Sequence, residues 1–147
     1  MYRKLCYLII YSRKVVAVTQ ITIAKAEDIQ PPDRGKPNPY CVIKWEGKTL
    51  RTFPEKDTLN PGWNERVTLY RSNPNKDIII ELWNQNIITD QFMGFATIPM
   101  EKKQEYTSRI TLRKFNLFEN KGTKEGVVQK PGGLWLKIIH TDDMSSI

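Results

Sequence analysis

The chain has 147 residues, 39% of them hydrophobic and 27% charged, a size and balance that suit one globular domain with a core of its own. Its net charge of +7 favours anionic partners such as lipid headgroups, acidic proteins or nucleic acid, and says nothing about fold. Two cysteines, Cys6 and Cys41, exclude a disulfide framework, one histidine excludes a His/Cys zinc set, and no apolar run approaches the ~20 residues of a membrane-spanning helix.

Residues 1–14 (MYRKLCYLIIYSRK) join a basic start to a short apolar run and are expected to form a first strand or a basic arm. Residues 15–26 (VVAVTQITIAKA) alternate with period two, and a change of phase near Gln20 predicts a bulge there. The Pro- and Gly-rich residues 30–39 form a loop. Residues 40–45 read as a strand with Cys41, Ile43 and Trp45 on one face and Val42 and Lys44 on the other. Glu46-Gly47 is a hairpin turn leading into a strand at 48–53. Further strands are expected at 65–70, 77–83, 92–98, 109–117 and 134–140, with the apolar run DIIIELW at 77–83 buried on both faces. Only residues 100–106 (MEKKQEY) read as helix, and residues 116–133 as a mobile loop. This pattern predicts an all-β fold, an eight-stranded antiparallel β-sandwich with one short helix, as a single domain over residues 15–141 and a tail at 142–147.

No catalytic constellation is visible. His140 stands alone at the end of the last strand, and the chain has no phosphate-binding glycine loop and no HExxH. A non-catalytic module is expected. The four tryptophans, Trp45, Trp63, Trp83 and Trp135, fall in strand-like stretches and are expected to be core or half-buried. Nucleic acid is not expected as a partner, since no stacking motif or recognition helix accompanies the charge.

Four stretches in order, PDRGKPNPY at 32–40, TLNPGWNE at 58–65, LWNQN…FMG at 82–94 and GGLWLKI at 132–138, resemble the C2 domain family. TLNPGWNE is the most specific; within it Trp63 reads as a core anchor and Asn60 as a backbone-bonding turn residue. The resemblance implies a Greek-key sandwich with three loops at one end. In many members these loops bind calcium through five acidic positions and dock on anionic lipid. Carried over singly, those positions are Asp33, Asn38, Asn84, Asn86 and, near the end of loop three, Gln91 or Asp90.

At most two carboxylates remain for an ion whose affinity follows ligand charge, so no metal and no cofactor are expected, with weak calcium binding at Asp33 and Asp90 as the alternative. The same loops offer Arg34, Lys36 and the apolar pair Ile87 and Ile88 to a membrane. A second patch, implied by other family members, falls on Lys44, Lys48 and Arg51. The expected function is targeting to anionic phospholipid, largely without calcium, by a monomer that is cytoplasmic and peripheral to membranes. A module for an acidic or phosphorylated protein partner is the alternative reading.

Overall fold

A computed structural model describes residues 14–31, 35–122 and 124–142. The expected N-terminal strand or basic arm, Asp33 and Arg34 lie outside them.

Eight strands follow in order: β1 (Ala17–Glu27), β2 (Pro39–Trp45), β3 (Lys48–Arg51), β4 (Gly62–Arg71), β5 (Ile78–Asn84), β6 (Gln91–Ile98), β7 (Arg113–Asn120) and β8 (Val127–Thr141). A 3-10 turn (Met100–Lys102) and one helix, α1 (Lys103–Ser108), lie between β6 and β7. All pairings are antiparallel, in the order β3-β2-β5-β6-β7-β8-β1-β4. A single residue pair, Phe95 with Phe118, joins β6 to β7, so the sheet folds into a front leaf, β3-β2-β5-β6, and a back leaf, β7-β8-β1-β4. The C-terminal strand β8 lies between β7 and β1.

Alternation builds the core. Ile21, Ile23, Leu69, Leu134, Leu136 and Ile138 of the back leaf face Cys41, Ile43, Ile80, Leu82, Met93 and Ala96 of the front leaf, all buried. Trp63 is buried and its indole N–H donates to Pro39 O (3.0 Å), while Asn60 Oδ1 accepts from the Asp28 N–H (2.9 Å). These are the roles the TLNPGWNE stretch predicted. Odd-numbered strands run one way and even-numbered the other, so the connections after β1, β3, β5 and β7 gather at one end. The Glu46-Gly47 turn and α1 close the opposite end.

Four expectations need correction. In β1 the inward series is Ala17, Thr19, Ile21 and Ile23, unbroken at Gln20, and the bulge sits between Ile23 and Lys25. The threonine goes inside because its hydroxyl pairs with His140 Nδ1 (2.8 Å). β5 is buried on one face only: Ile79 is exposed, and Glu81 and Trp83 are half-buried. Residues 109–112 precede β7 rather than open it. The stretch expected as a loop at 116–133 is mostly a hairpin, in which Leu117–Asn120 pair with Val127–Lys130.

Candidate functional site

The loop end is built around Asn38. Its backbone N–H donates to Asn84 Oδ1 (2.8 Å), its C=O accepts from the Gln85 N–H (2.9 Å), and its Nδ2 donates to Gln85 O (3.2 Å). Its Oδ1 accepts from the Asp57 N–H (3.0 Å), and the flanking carbonyls of Pro37 and Pro39 accept from Thr58 and Glu55. One amide side chain and its backbone thus tie loop one, residues 28–38, to loop two, residues 52–61, and to loop three, residues 85–90.

Asn84 completes the lattice from the end of β5, where it is 5% exposed. Its Nδ2 donates to Gln91 Oε1 (3.0 Å) and to Asn86 Oδ1 (3.4 Å). Both hydrogens of that amide are used, and a carboxylate in its place could donate neither. Asp90 faces elsewhere. Its Oδ1 accepts from the Asn86 N–H (3.1 Å) and its Oδ2 from the Tyr40 hydroxyl. The Tyr40 hydrogen bond, followed by that from Asn86, holds the Asp90 carboxyl below the usual carboxylate range. Burial, reinforced by Asp90, pushes the Tyr40 phenol up to about 12. The Arg51 guanidinium lies over the Tyr40 ring at 4.1 Å.

Among the described residues, the oxygens that a hard divalent cation would use are already engaged. Calcium wants about 6–8 oxygens free to turn inward. Here the side-chain oxygens of Asn38, Asn84, Asn86, Gln91 and Asp90 each accept a hydrogen bond from the protein, and amide hydrogens of Asn84 occupy the space between two of them. No cluster of three His, Cys, Asp or Glu occurs among the described residues.

Above this lattice the tip of loop three stands clear. Ile87 is 104% exposed and Ile88 is 95% exposed. Phe53, which the sequence reading placed inside a strand, lies beyond the end of β3 in loop two and is 81% exposed. Its neighbour Pro54 was the available sign that the strand ends early. Lys36 is exposed on loop one.

Lys44 and Arg51 of the second patch point away from the core, as alternation predicts, and Lys48 stands at their hairpin. Val42 pairs with Arg51 and Lys44 with Thr49, so Arg51 and Lys44 share the outer face of the front leaf. Lys48 pairs with Trp45 and lies over its ring at 6.0 Å, on the other side of β3. Lys44 is ion-paired with Glu81 (3.0 Å), which also accepts from the Trp83 indole. Beside them Trp83 and Phe92 meet edge-on at 5.4 Å, making this face aromatic as well as basic. Sequence reasoning missed that quality because it assigned Trp83 to a strand buried on both sides.

The match to a family model is direct. Residues 17–115, more than half of the chain, match the C2 domain, and the chain belongs to that family. It is 33% identical over 85 residues to extended synaptotagmin-1 of Rattus norvegicus, covering 52% of this chain and 8% of that protein. To calpain-5 of the same species it is 30% identical over 77 residues, covering 52% of this chain and 12% of that protein. The chain thus spans only a small part of either relative. Among solved structures, a C2 domain from a plant extended synaptotagmin 1 superposes with a TM-score of 0.73 at 15% identity, covering 88% of this chain and 98% of that one. That likeness speaks to fold: eight antiparallel strands in a C2 β-sandwich.

Proposed function

We propose that this C2 domain is a non-catalytic membrane-targeting module that docks on anionic phospholipid without needing calcium. The observation that carries the reading is the fully exposed Ile87-Ile88 pair, held on a loop base that protein hydrogen bonds already fix. A calcium-dependent loop set carries repelling carboxylates that the ion must cancel before the loops near a negative surface. Here amides, Asn38, Asn84 and Asn86, stand at three of those positions, Asp33 lies outside the described residues, and the one acid in loop three, Asp90, is engaged by Tyr40.

In this reading Ile87 and Ile88 enter the headgroup–acyl boundary, with Phe53 as a second apolar contact. Lys36 faces headgroups and Arg34 adds its charge, each such cation contributing about 1 kcal/mol near an anionic surface and less as salt rises. Lys44, Lys48 and Arg51 are support at most, since Lys44 is paired and Lys48 lies on the other side of its strand. Attachment is peripheral, by the loop tips alone, on the cytoplasmic side. No helix among the described residues is long and apolar enough to cross a membrane. The module works as a monomer, in a longer protein or alone.

Co-sedimentation with phosphatidylserine-containing vesicles tests this. Binding is expected in EGTA, unchanged by millimolar calcium and weakened by salt, and Ile87→Asp/Ile88→Asp is expected to abolish it. Binding that appears only with calcium would overturn the calcium-independent reading. No binding in any condition would overturn lipid docking altogether.

A further inference from the structure

The outer face of the back leaf carries a second charged surface, distinct from the tips of the lipid-docking loops and from the patch on β2 and β3. Two neighbouring cross-strand rows define it. In the first, Lys114 of β7, Trp135 of β8 and Lys25 of β1 lie side by side. In the second, Lys137 of β8, Thr22 of β1 and Arg66 of β4 do the same. Lys25 is there because of the bulge: the extra residue Ala24 turns inward, and the following lysine comes out beside Trp135. Its Nζ sits 5.6 Å from the indole centroid. The Lys114 stem lies flat over Gly133, where a Cβ would collide with its Cε.

Lys114, Lys137 and Arg66 are exposed and form no ion pair among the described residues. One carboxylate, Glu27, shares the face, and Lys25 engages it at 2.9 Å. Four cations and one acid give this face a net charge of +3, as much as residues 15–147 carry in sum.

We infer that this face binds an acidic segment of a partner protein in an extended conformation. Strands are ~4.8 Å apart, so Lys114 and Lys25 straddle Trp135 at about 10 Å, and Lys137 and Arg66 straddle Thr22 at the same spacing. A polyproline-II segment rises ~3.1 Å per residue and presents every third side chain on one side, about 9 Å apart. Carboxylates three residues apart match each pair of cations. A bilayer suits the face less well. It lies along the strands, at right angles to a membrane met by the loop tips. No large apolar side chain in these two rows is free to insert, Trp135 being half-buried beside Lys25.

The test uses a fluorescent peptide with glutamate at every third position and a matched peptide with lysine in those places. Fluorescence anisotropy at low salt is expected to show binding of the acidic peptide alone. Lys114→Glu/Lys137→Glu and, separately, Arg66→Glu/Lys137→Glu are expected to weaken it at least about tenfold with thermal unfolding unchanged. Ile87→Asp/Ile88→Asp is expected to leave it intact while vesicle binding is lost. Three results would overturn the proposal: no binding of the acidic peptide to the unaltered protein, equal loss on reversing Lys44 and Arg51 instead, or back-leaf variants that keep the peptide and lose the vesicles.

Discussion

At single residues the loop end turns on the difference between an amide and a carboxylate. Asn84 is buried and spends both amide hydrogens on Gln91 and Asn86. Asn84→Asp replaces two attractive contacts with carbonyl oxygens facing a carboxylate. The expected cost is about 2 kcal/mol, an unsatisfied buried group together with lost bonds. At ~3 °C per kcal/mol for a chain of this size, thermal unfolding should fall by about 6 °C in EGTA. The triple change Asn38→Asp/Asn84→Asp/Asn86→Asp should lose more, and regain part of it in millimolar calcium, because a ligand bound only by the folded state stabilises it. A triple variant as stable as the parent in EGTA would show that the amides do not hold the loops.

Tyr40 and Asp90 form a second residue-scale pair. The phenol donates to the carboxylate, which depresses Asp90 and raises Tyr40. A depressed carboxyl contributes stability above its unfolded pKa and loses it as pH falls through the folded value. Tyr40→Phe should therefore return Asp90 toward the ordinary carboxylate range, visible as an upward shift of its side-chain NMR titration. An unmoved titration would mean that the Asn86 N–H alone fixes Asp90.

Elements are held at the opposite end by a buried cation. Arg71 closes β4, is fully buried, and donates to Glu46 (2.7 Å), to Thr19, and to the carbonyls of Asn73 and Lys76. Burial alone pushes Glu46 up. Hydrogen bonds from the Ser72 hydroxyl, Arg71 and the Ser72 and Asn73 N–H groups overcome it and bring the carboxyl down to about 2. The β2–β3 hairpin is thereby clamped to the end of β4. Glu46→Gln leaves the guanidinium uncompensated, and the expected loss is about 3 kcal/mol. The loss should be full above pH 4.5, the ordinary value for Glu, and should shrink as pH falls toward about 2, where the parent also loses the charge. Urea midpoints of the two proteins at neutral and acid pH check this, and a gap that stays constant would assign the effect to packing.

Much of this level was legible in the sequence. The Glu46-Gly47 turn, the faces of β2 and the structural role of TLNPGWNE all follow from local chemistry. Other elements needed partners to settle them. Gln20 gave no break because Thr19 is satisfied by His140, which lies 121 residues away. The β7–β8 hairpin was hidden by its glycines and lysines, since cross-strand pairing rather than composition makes Val127–Lys130 a strand. At the site, the amide substitutions could be read directly. That Lys48 and Arg51 face opposite ways could be read too, since they stand three residues apart in one strand.

Over the whole molecule, charge and apolar contact are placed in different regions and should control different steps. The described loop end mixes Lys36, Lys56, Lys121 and Lys124 with Asp28, Glu55, Asp57, Asp90 and Glu125, so it carries little net charge. The positive excess sits on the back leaf and among residues 1–14. A net charge of +7 attracts an anionic vesicle over a distance set by the Debye length, ~8 Å at physiological salt, as the tumbling domain presents each charged face in turn. Apolar insertion acts only after contact. Stopped-flow mixing with phosphatidylserine vesicles should separate the two. Raising salt should slow association severalfold with little change in dissociation, whereas Ile87→Ala/Ile88→Ala should speed dissociation and leave association nearly unchanged. Reversing Lys114 and Lys137 should behave like added salt, because those side chains steer without touching lipid. If that variant instead speeds dissociation as the loop variant does, the back leaf lies against the membrane, and the two surfaces form one interface.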